Sequence, residues 1–186
     1  MADRQIAEFG LADIATTGTL DHLLGQEKDF KHESKSGNTY TLLSASRVRA
    51  RWVKNREGAA LSKNQAVTYK STYYGLGVEL ADTGNKCAGV VSPMLERTVP
   101  DGSYCWIVTE GPAKAISDGN STIAQGEAVI TIGSGTGKVR KQVAAPADTT
   151  AALVQLNSVV GSAMEAVAAT DGLAFNVWVH PGRQTA

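Results

Sequence analysis

The feature that most constrains this sequence is the repeated alternation of a turn signal with a short apolar run. The stretch from Thr98 to Ile116, TVPDGSYCWIVTEGPAKAI, shows the pattern. Pro100-Asp101-Gly102 predicts a turn, because proline presets φ and glycine accepts a positive φ. Glu110-Gly111-Pro112 predicts a second turn that ends the run, so AKAIS is expected to return as the partner strand. Such units indicate antiparallel β-structure.

The run between these turns is apolar on both faces. Tyr104, Trp106 and Val108 fall on one face of the predicted strand, and Cys105 and Ile107 fall on the other, because side chains alternate along a strand. We therefore expect this strand to be covered on both sides. Short strands with turns about every eight to twelve residues favour a barrel or a sandwich.

Further segments follow the same rule. TYTLLSASRVRARWV, after Asn38, has near alternation of β-branched and aromatic residues, and Pro93 in CAGVVSPML fits a strand end. EAVITIG and KVRKQVA flank the turn SGTG, and LAFNVWVHPG forms a closing strand after Thr170-Asp171-Gly172. The sequence predicts an all-β domain over residues 38–186, a small β-barrel or sandwich of short antiparallel strands.

One segment of this domain is ambiguous. LVQLNSVVGSAMEAV contains good helix formers, yet Gly161 interrupts it and NSVVG is typical of a strand. We favour a strand pair here over a helix.

Residues 1–37 differ in amino-acid composition from the rest of the chain. They mix small, charged and glycine residues with few well-spaced apolar positions, and they contain no amphipathic helix long enough to stand alone. We expect an extended N-terminal arm that is ordered on a partner or partly disordered when alone.

Charge and cysteine content narrow the class of protein. The chain has 18 basic and 18 acidic residues, so its net charge does not favour nucleic acid or an anionic membrane. No apolar window approaches the roughly 18 residues of a membrane span, and the N-terminus has no secretion signal. Cys87 and Cys105 are too few for a disulfide framework, and Cys105 is expected to be a buried thiol. These patterns predict synthesis in a reducing cytoplasm.

No motif indicates catalysis. Gly133-Ser134-Gly135-Thr136-Gly137-Lys138 resembles a phosphate loop, but Ile132 and Val139 stand where the Walker pattern needs glycine and a hydroxyl. A hairpin turn explains it better. His22, His32 and His180 are scattered, which favours solvated or capping roles over metal binding. No G-x-S-x-G elbow is present. We expect no enzyme activity, no cofactor and no metal. The alternative is an enzyme, such as a glycosidase, whose two carboxylates lie far apart in the sequence.

A basic run in SRVRARWVKNR is the one polar feature above background. Alternation places three arginines on one face of a strand, opposite Val48, Ala50 and Trp52. Such a face can be solvated, can bind carboxylates of a protein partner, or can bind phosphates of nucleic acid. The candidate protein-contact residues are Arg47, Arg49, Arg51, Lys54 and Arg56.

Four segments of the chain resemble capsid decoration (cement) proteins of tailed bacteriophages. They are GQEKDFKHESKSGNTYTLLSAS, AGVVSPMLERTVPDGSYCWIVTEGPAKAI, QGEAVITIGSGTGKVRKQV and VVGSAMEAVAATDGLAFNVWVHPG. In that family a short A-G-V segment, a strand begun by glycine and a V-V-G-x-A segment precede the final strand. The resemblance covers most of residues 26–182.

This resemblance implies a structural virion protein that binds the outer capsid surface and bridges major capsid subunits. The implied partner is the major capsid protein, the implied assembly is a homotrimer at a threefold position, and the protein would be made in the host cytoplasm. The family has no catalytic residues to transfer. The alternative is a β-barrel module that binds nucleic acid or carbohydrate through Arg47, Arg49 and Arg51. Salt-dependent retention on DNA would favour that alternative.

Overall fold

The computed structural model describes residues 9–16, 20–36, 38–73, 76–82, 85–132, 135–143 and 149–181. Strands dominate these residues, with one α-helix and two short 3-10 helices at Asp21–Leu23 and Ser71–Tyr73, so the all-β prediction is confirmed. The elements in chain order are β1 (Glu27–Ser36), β2 (Thr39–Asn55), β3 (Ala66–Tyr69), β4 (Gly77–Leu80), β5 (Cys87–Val91), β6 (Tyr104–Asp118), β7 (Ala128–Thr131), β8 (Val139–Lys141), α1 (Thr149–Asn157), β9 (Val159–Ala163) and β10 (Asp171–Val179).

The strand pairings close into two small barrels within the described residues. In the first barrel, β2 pairs with β4, β4 with β3, β3 with β5, β5 with β6, and β6 again with β2. In the second barrel, β6 pairs with β10, β10 with β9, β9 with β7, β7 with β8, and β8 again with β6. The long strand β6 is therefore a wall of both barrels.

Gly111 marks the point where β6 passes from one barrel to the other. Glu110 still pairs with Arg49 of β2, whereas Gly111 pairs with Val179 of β10. Gly111 has φ +101°, and a Cβ there would lie 2.4 Å from the carbonyl oxygen of Arg47. Only glycine tolerates both conditions. The predicted chain reversal at Glu110-Gly111-Pro112 is wrong, because these residues bend the strand between two barrels and AKAIS continues it.

The interior of the first barrel is filled by side chains from all five of its strands. Val53, Val67, Val78, Val91 and Ile107 belong to one buried cluster, each with 0% exposure. The outer face of β6 is buried as well, since Tyr104 and Trp106 are also fully covered. The prediction that this strand is covered on both sides is confirmed.

The second barrel has a smaller core. Ala115, Val129, Val139, Val160 and Phe175 supply one buried residue from each of its strands. They belong to the same cluster as Trp52 and Trp106, so the apolar core is continuous from the second barrel to the outer face of the first. Continuous burial of this kind stabilises the two barrels as a unit.

Residues 9–24 cover that outer face where they are described. The rings of Phe9 and Trp52 are 4.8 Å apart, and Ala15 forms a β-bridge with Tyr104. Asp21 Oδ1 accepts hydrogen bonds from Tyr104 at 2.6 Å and Lys54 at 3.0 Å. These two hydrogen bonds lower the pKa of Asp21. The described part of the segment predicted as an arm, residues 1–37, thus packs against the body and supplies β1. A role for this segment on a partner stays a prediction.

The ambiguous segment divides into a helix and a strand. Thr149–Asn157 forms α1 and Val159–Ala163 forms β9, so the preference for a strand pair is wrong for its first half. Three good helix formers, Ala151, Ala152 and Leu153, lie within α1. The hairpin predicted around the glycine-rich turn is confirmed by the pairing of β7 with β8. Residues 133 and 134 of that turn lie outside the described residues.

Both cysteines are buried free thiols, as expected for Cys105. Burial raises the pKa of Cys87 and of Cys105 to about 12. Neither thiol is ionised at neutral pH, which leaves both as small core residues.

Candidate functional site

The hairpin of β1 and β2 carries the arginine row that the sequence singled out. Near the body, Glu27 lies opposite Arg51 and Asp29 lies opposite Arg49 in the antiparallel register. We call this part, Glu27–Phe30 with Val48–Trp52, the hairpin base. On one face of the base, each acidic residue of β1 lies opposite an arginine of β2. Opposite charges paired across strands in this way are favourable.

The base arginines are engaged by the protein itself. Arg49 contacts Asp29 Oδ1 and Glu110 Oε2, each at 3.2 Å. Arg51 contacts Glu27 Oε1 at 2.5 Å and donates to the Tyr69 hydroxyl at 2.6 Å. The hydrogen bond to Asp29 raises the pKa of Arg49. An external phosphate or carboxylate would have to compete with these carboxylates.

The opposite face of the base is apolar. Val48 is 2% exposed, Ala50 and Trp52 are 0% exposed, and Phe30 packs edge-on against Trp106 at 5.0 Å between ring centres. The predicted orientation of the two faces of β2 is confirmed. The base is therefore held by ion pairs on one side and aromatic packing on the other.

Beyond the base, the hairpin no longer pairs acidic residues with arginines. We call Lys31–Ser36 with Thr39–Arg47 the hairpin tip; Gly37 lies outside the described residues. Lys31 lies directly opposite Arg47, so the acid-base alternation ends with two cations. Both side chains are exposed, and within the described part of the chain neither has an ion pair. Like charges placed opposite each other are destabilising in a free protein and are relieved by an anion.

The tip is also bulged and carries two exposed leucines. Leu43, Ala45 and Ser46 have no register partner on β1, and such bulges bend a strand away from its ladder. Leu42 is 60% exposed and Leu43 is 53% exposed. Leu42 lines a shallow hollow of about 420 Å³ together with Lys31 and Arg47. An apolar group beside two cations that have no ion pair among the described residues is suited to contact another protein.

The five predicted contact residues do not share one surface. Arg47, Arg49 and Arg51 lie along the same hairpin face, but Lys54 lies on the other face of β2, with its ammonium 4.8 Å from the Tyr104 ring centre. The backbone oxygen of Arg56 accepts a hydrogen bond from Lys70, at the end of the first barrel. Their predicted contact with a partner stays a prediction.

Sequence reasoning missed Lys31, Leu42 and Leu43. The two adjacent leucines could have been noticed in the sequence. Neighbouring residues of a strand point to opposite faces, so at least one of the two is exposed when only one face of the strand packs against the body. Lys31 could not be found without the register, since its position opposite Arg47 depends on how β1 and β2 pair.

The described histidine, cysteine and acidic side chains are the remaining candidates for a metal site. Among the described residues, no group of three or more His, Cys, Asp or Glu side chains could hold a metal ion. His32 Nδ1 lies 2.8 Å from Ser44 Oγ, and His180 Nε2 lies 3.0 Å from Ser162 Oγ. No described helix has the length and apolar character needed to cross a membrane.

Comparisons with known proteins give a distant structural likeness. No protein-family model matches the chain, and no curated protein matches it. A solved structure, the head fiber gp8.5 N base in bacteriophage phi29, is similar with a TM-score of 0.46 and 14% identity, over 70% of this chain and 92% of the other. A likeness of this size does not establish a shared fold or function.

Proposed function

We propose that this chain is a non-enzymatic structural protein of a tailed-phage virion, which binds the outer capsid surface and bridges copies of the major capsid protein. The observation that carries the proposal is the hairpin tip, where Leu42 is 60% exposed beside two cations that face each other across the strands. The sequence resemblance to decoration proteins supports the identity of the partner. The fold supplies a rigid body on which the tip is held.

The chemistry of the tip defines what it would contact. Lys31 and Arg47 would contact an acidic group of the partner, and Leu42 would fit into an apolar depression on the partner surface. Fully burying a leucine contributes roughly 1.5–3 kcal/mol, whereas an exposed ion pair contributes about 0–1 kcal/mol. One tip therefore supplies a weak contact, and firm attachment requires several tips that act together.

A homotrimer at a threefold position would supply those tips. Three identical contacts raise the overall affinity through effective concentration without any new kind of contact. Light scattering after size-exclusion chromatography tests this part, since the trimer has three times the monomer mass of 19.5 kDa. A monomer mass at micromolar concentration would remove the trimer from the proposal and leave the tip contact standing.

Co-sedimentation with phage heads tests the binding itself. Purified heads that lack the protein are mixed with wild-type chain and with the tip variant Lys31→Gln/Leu42→Ser/Arg47→Gln. We expect wild type to co-sediment and the tip variant to remain in the supernatant. The variant should keep the wild-type melting temperature, because all three side chains are exposed.

The matched control changes the same residue types on the second barrel. Arg140→Gln/Lys141→Gln/Leu173→Ser removes two cations and one leucine of 41% exposure, and it should bind heads like wild type. Equal binding by the tip variant and this control would overturn the role of the tip. No binding by wild type would overturn the proposal.

The arginine row also bears on the alternative function in nucleic acid or carbohydrate binding. Arg49 and Arg51 are already paired with Asp29, Glu110 and Glu27, which leaves only Arg47 of the three without an ion pair in the described structure. A single guanidinium without an ion pair binds a polyanion weakly, because affinity for nucleic acid grows with the number of phosphates neutralised. Salt-dependent retention on DNA that Arg47→Gln abolishes would favour the alternative.

A further inference from the structure

The helix α1 lies on the surface of the second barrel and is only partly covered by it. A hollow of about 400 Å³ is lined by both. The barrel contributes Ile130 and Arg140 to this hollow, and the helix contributes the face that carries Ala151, Val154 and Gln155. Within the part of the chain that the structure describes, no residue of α1 is buried.

The opposite face of α1 carries a stripe of exposed residues, Thr149, Leu153 and Leu156, which we call the α1 stripe. Leu153 is 55% exposed and Leu156 is 42% exposed. Spacings of four and three residues place the three side chains on one side of a helix with 3.6 residues per turn. The same spacings separate the seam positions of a coiled coil. The stripe therefore has the geometry to pack against another helix.

The length of α1 indicates that it needs such packing. The helix has nine residues, whereas helices shorter than about 12–15 residues are marginal in water without tertiary contacts. Val143, whose N–H donates to Gln155 Oε1 at 3.1 Å, adds a third large apolar side chain of 51% exposure beside the two leucines. Burial of these side chains would stabilise the helix and the surface around it.

The charge of the α1 stripe indicates which partner it fits. The helix, Thr-Thr-Ala-Ala-Leu-Val-Gln-Leu-Asn, contains no ionisable side chain, and depletion of charge is typical of interface cores. Around a symmetry axis a residue approaches its own copy, so a charged residue there is repelled by the same charge. An uncharged stripe meets its copy without this repulsion. The tip does not meet this condition, since Lys31 and Arg47 are both cations.

We infer that α1 is the contact between copies of this chain, with the α1 stripe of each copy packed against the same stripe of its neighbours. This inference deepens the homotrimer of the proposed function and rests on it for the number of copies. With α1 along a threefold axis, the three helices run in the same direction. Leu153 then packs against Leu153 of the other copies, and Leu156 against Leu156, in two layers of a short coiled coil.

Light scattering after size-exclusion chromatography over a range of protein concentrations tests the inference on the full chain. The stripe variant Leu153→Gln/Leu156→Gln should raise the midpoint concentration of assembly at least tenfold, the factor that loss of one buried leucine produces. The control Met164→Gln/Leu173→Gln changes two residues of 40% and 41% exposure near the second barrel, and it should assemble like wild type. Equal assembly of wild type and the stripe variant would overturn the inference, as would a wild-type protein that stays monomeric.

Cysteine cross-linking gives a second measurement with little change to the stripe. Leu153→Cys and Leu156→Cys are treated separately with a short bismaleimide, and we expect each to give a covalent dimer on a denaturing gel. The natural thiols of Cys87 and Cys105 are buried, so they add little background. The control Leu173→Cys should stay monomeric. Cross-linking of neither stripe position above the level of this control would overturn the inference.

The contact through α1 and the proposed function of the tip fail in different assays. The tip variant Lys31→Gln/Leu42→Ser/Arg47→Gln should keep the wild-type mass, because it leaves the α1 stripe intact. The stripe variant should co-sediment with phage heads more weakly than wild type, because fewer tips act together. A stripe variant of wild-type mass overturns the α1 contact and leaves the tip standing. A tip variant that binds heads like wild type overturns the role of the tip and leaves the α1 contact standing.

Discussion

The base and the tip of the β1–β2 hairpin belong to the same two strands but are built for different surroundings. At the base, Arg49 and Arg51 are matched by carboxylates and Trp52 is fully buried. At the tip, Lys31 faces Arg47 and Leu42 is 60% exposed. The base satisfies its own charges and apolar surface, whereas Lys31, Arg47 and Leu42 at the tip lack such partners among the described residues. The difference indicates that stability resides in the base, and we propose that interaction resides in the tip.

The boundary between the two parts is set by Gly111. The carbonyl of Arg47 lies over this glycine, at the place where β6 leaves the first barrel for the second. Below that point β2 pairs with β6, and above it β2 pairs only with β1 among the described strands. The hairpin thus loses the support of the barrel where the bulges begin.

Truncation of the base tryptophan should have the largest effect. Trp52→Ala removes a side chain of 0% exposure that packs against Phe9, Tyr104 and Trp106. We expect it to lower the free energy of unfolding by about 3–5 kcal/mol. Urea denaturation followed by circular dichroism measures the loss. Leu42→Ala at the tip is the control and should stay within about 0.5 kcal/mol of wild type.

The boundary glycine should be nearly as sensitive. Gly111→Ala places a Cβ 2.4 Å from the Arg47 carbonyl oxygen at φ +101°, so both strain and overlap destabilise the fold. We expect a loss of about 2–4 kcal/mol. Gly102→Ala is the matched control, because Gly102 has φ +76° but a Cβ added there would meet no atom within 4 Å. Its loss should be about 1–2 kcal/mol. Equal losses in the two variants would show that the close approach has no role.

Ion pairing at the base should have a smaller effect that depends on salt. Arg51→Gln removes the contacts to Glu27 and to the Tyr69 hydroxyl, and we expect a loss of about 1 kcal/mol in dilute buffer. Thermal unfolding in dilute buffer and in molar sodium chloride separates the two contributions, because salt screens the pair with Glu27. Arg47→Gln at the tip should not destabilise the protein. A loss for Arg47→Gln equal to that for Arg51→Gln would contradict the distinction between base and tip.

The smallest effect should come from His32 at the start of the tip. Burial lowers its pKa below 6.5, so the unfolded chain binds the proton more readily than the folded chain. The resulting contribution to stability is fully present above pH 6.5 and falls as the pH drops from 6.5 toward the lower folded pKa. His32→Gln should make the melting temperature depend less on pH over that window. An unchanged pH dependence of the melting temperature in His32→Gln would contradict this assignment.

The all-β fold class could be predicted from the sequence, but the passage of β6 from one barrel to the other could not. Alternation in TYTLLSASRVRARWV and in SYCWIV depends only on neighbouring residues, so strand faces could be predicted. Gly111-Pro112 has the chemistry of a turn, yet here the same residues let a strand bend between two barrels. That choice depends on which strands lie beside β6, and the local sequence does not contain this information.

The site was predictable in part for the same reason. The arginine row follows from alternation, and its orientation opposite Trp52 is found in the structure. The division between paired and unpaired arginines depends on the register of β1 against β2, which puts acids opposite Arg49 and Arg51 but Lys31 opposite Arg47.

An electron cryo-microscopy map of phage heads decorated with this protein tests the central claim most directly. The proposal predicts that residues 31–36 and 39–47 lie against the capsid shell, with Leu42 buried and acidic side chains of the major capsid protein next to Lys31 and Arg47. A map in which the tip points to solvent while another face of either barrel contacts the shell would contradict it.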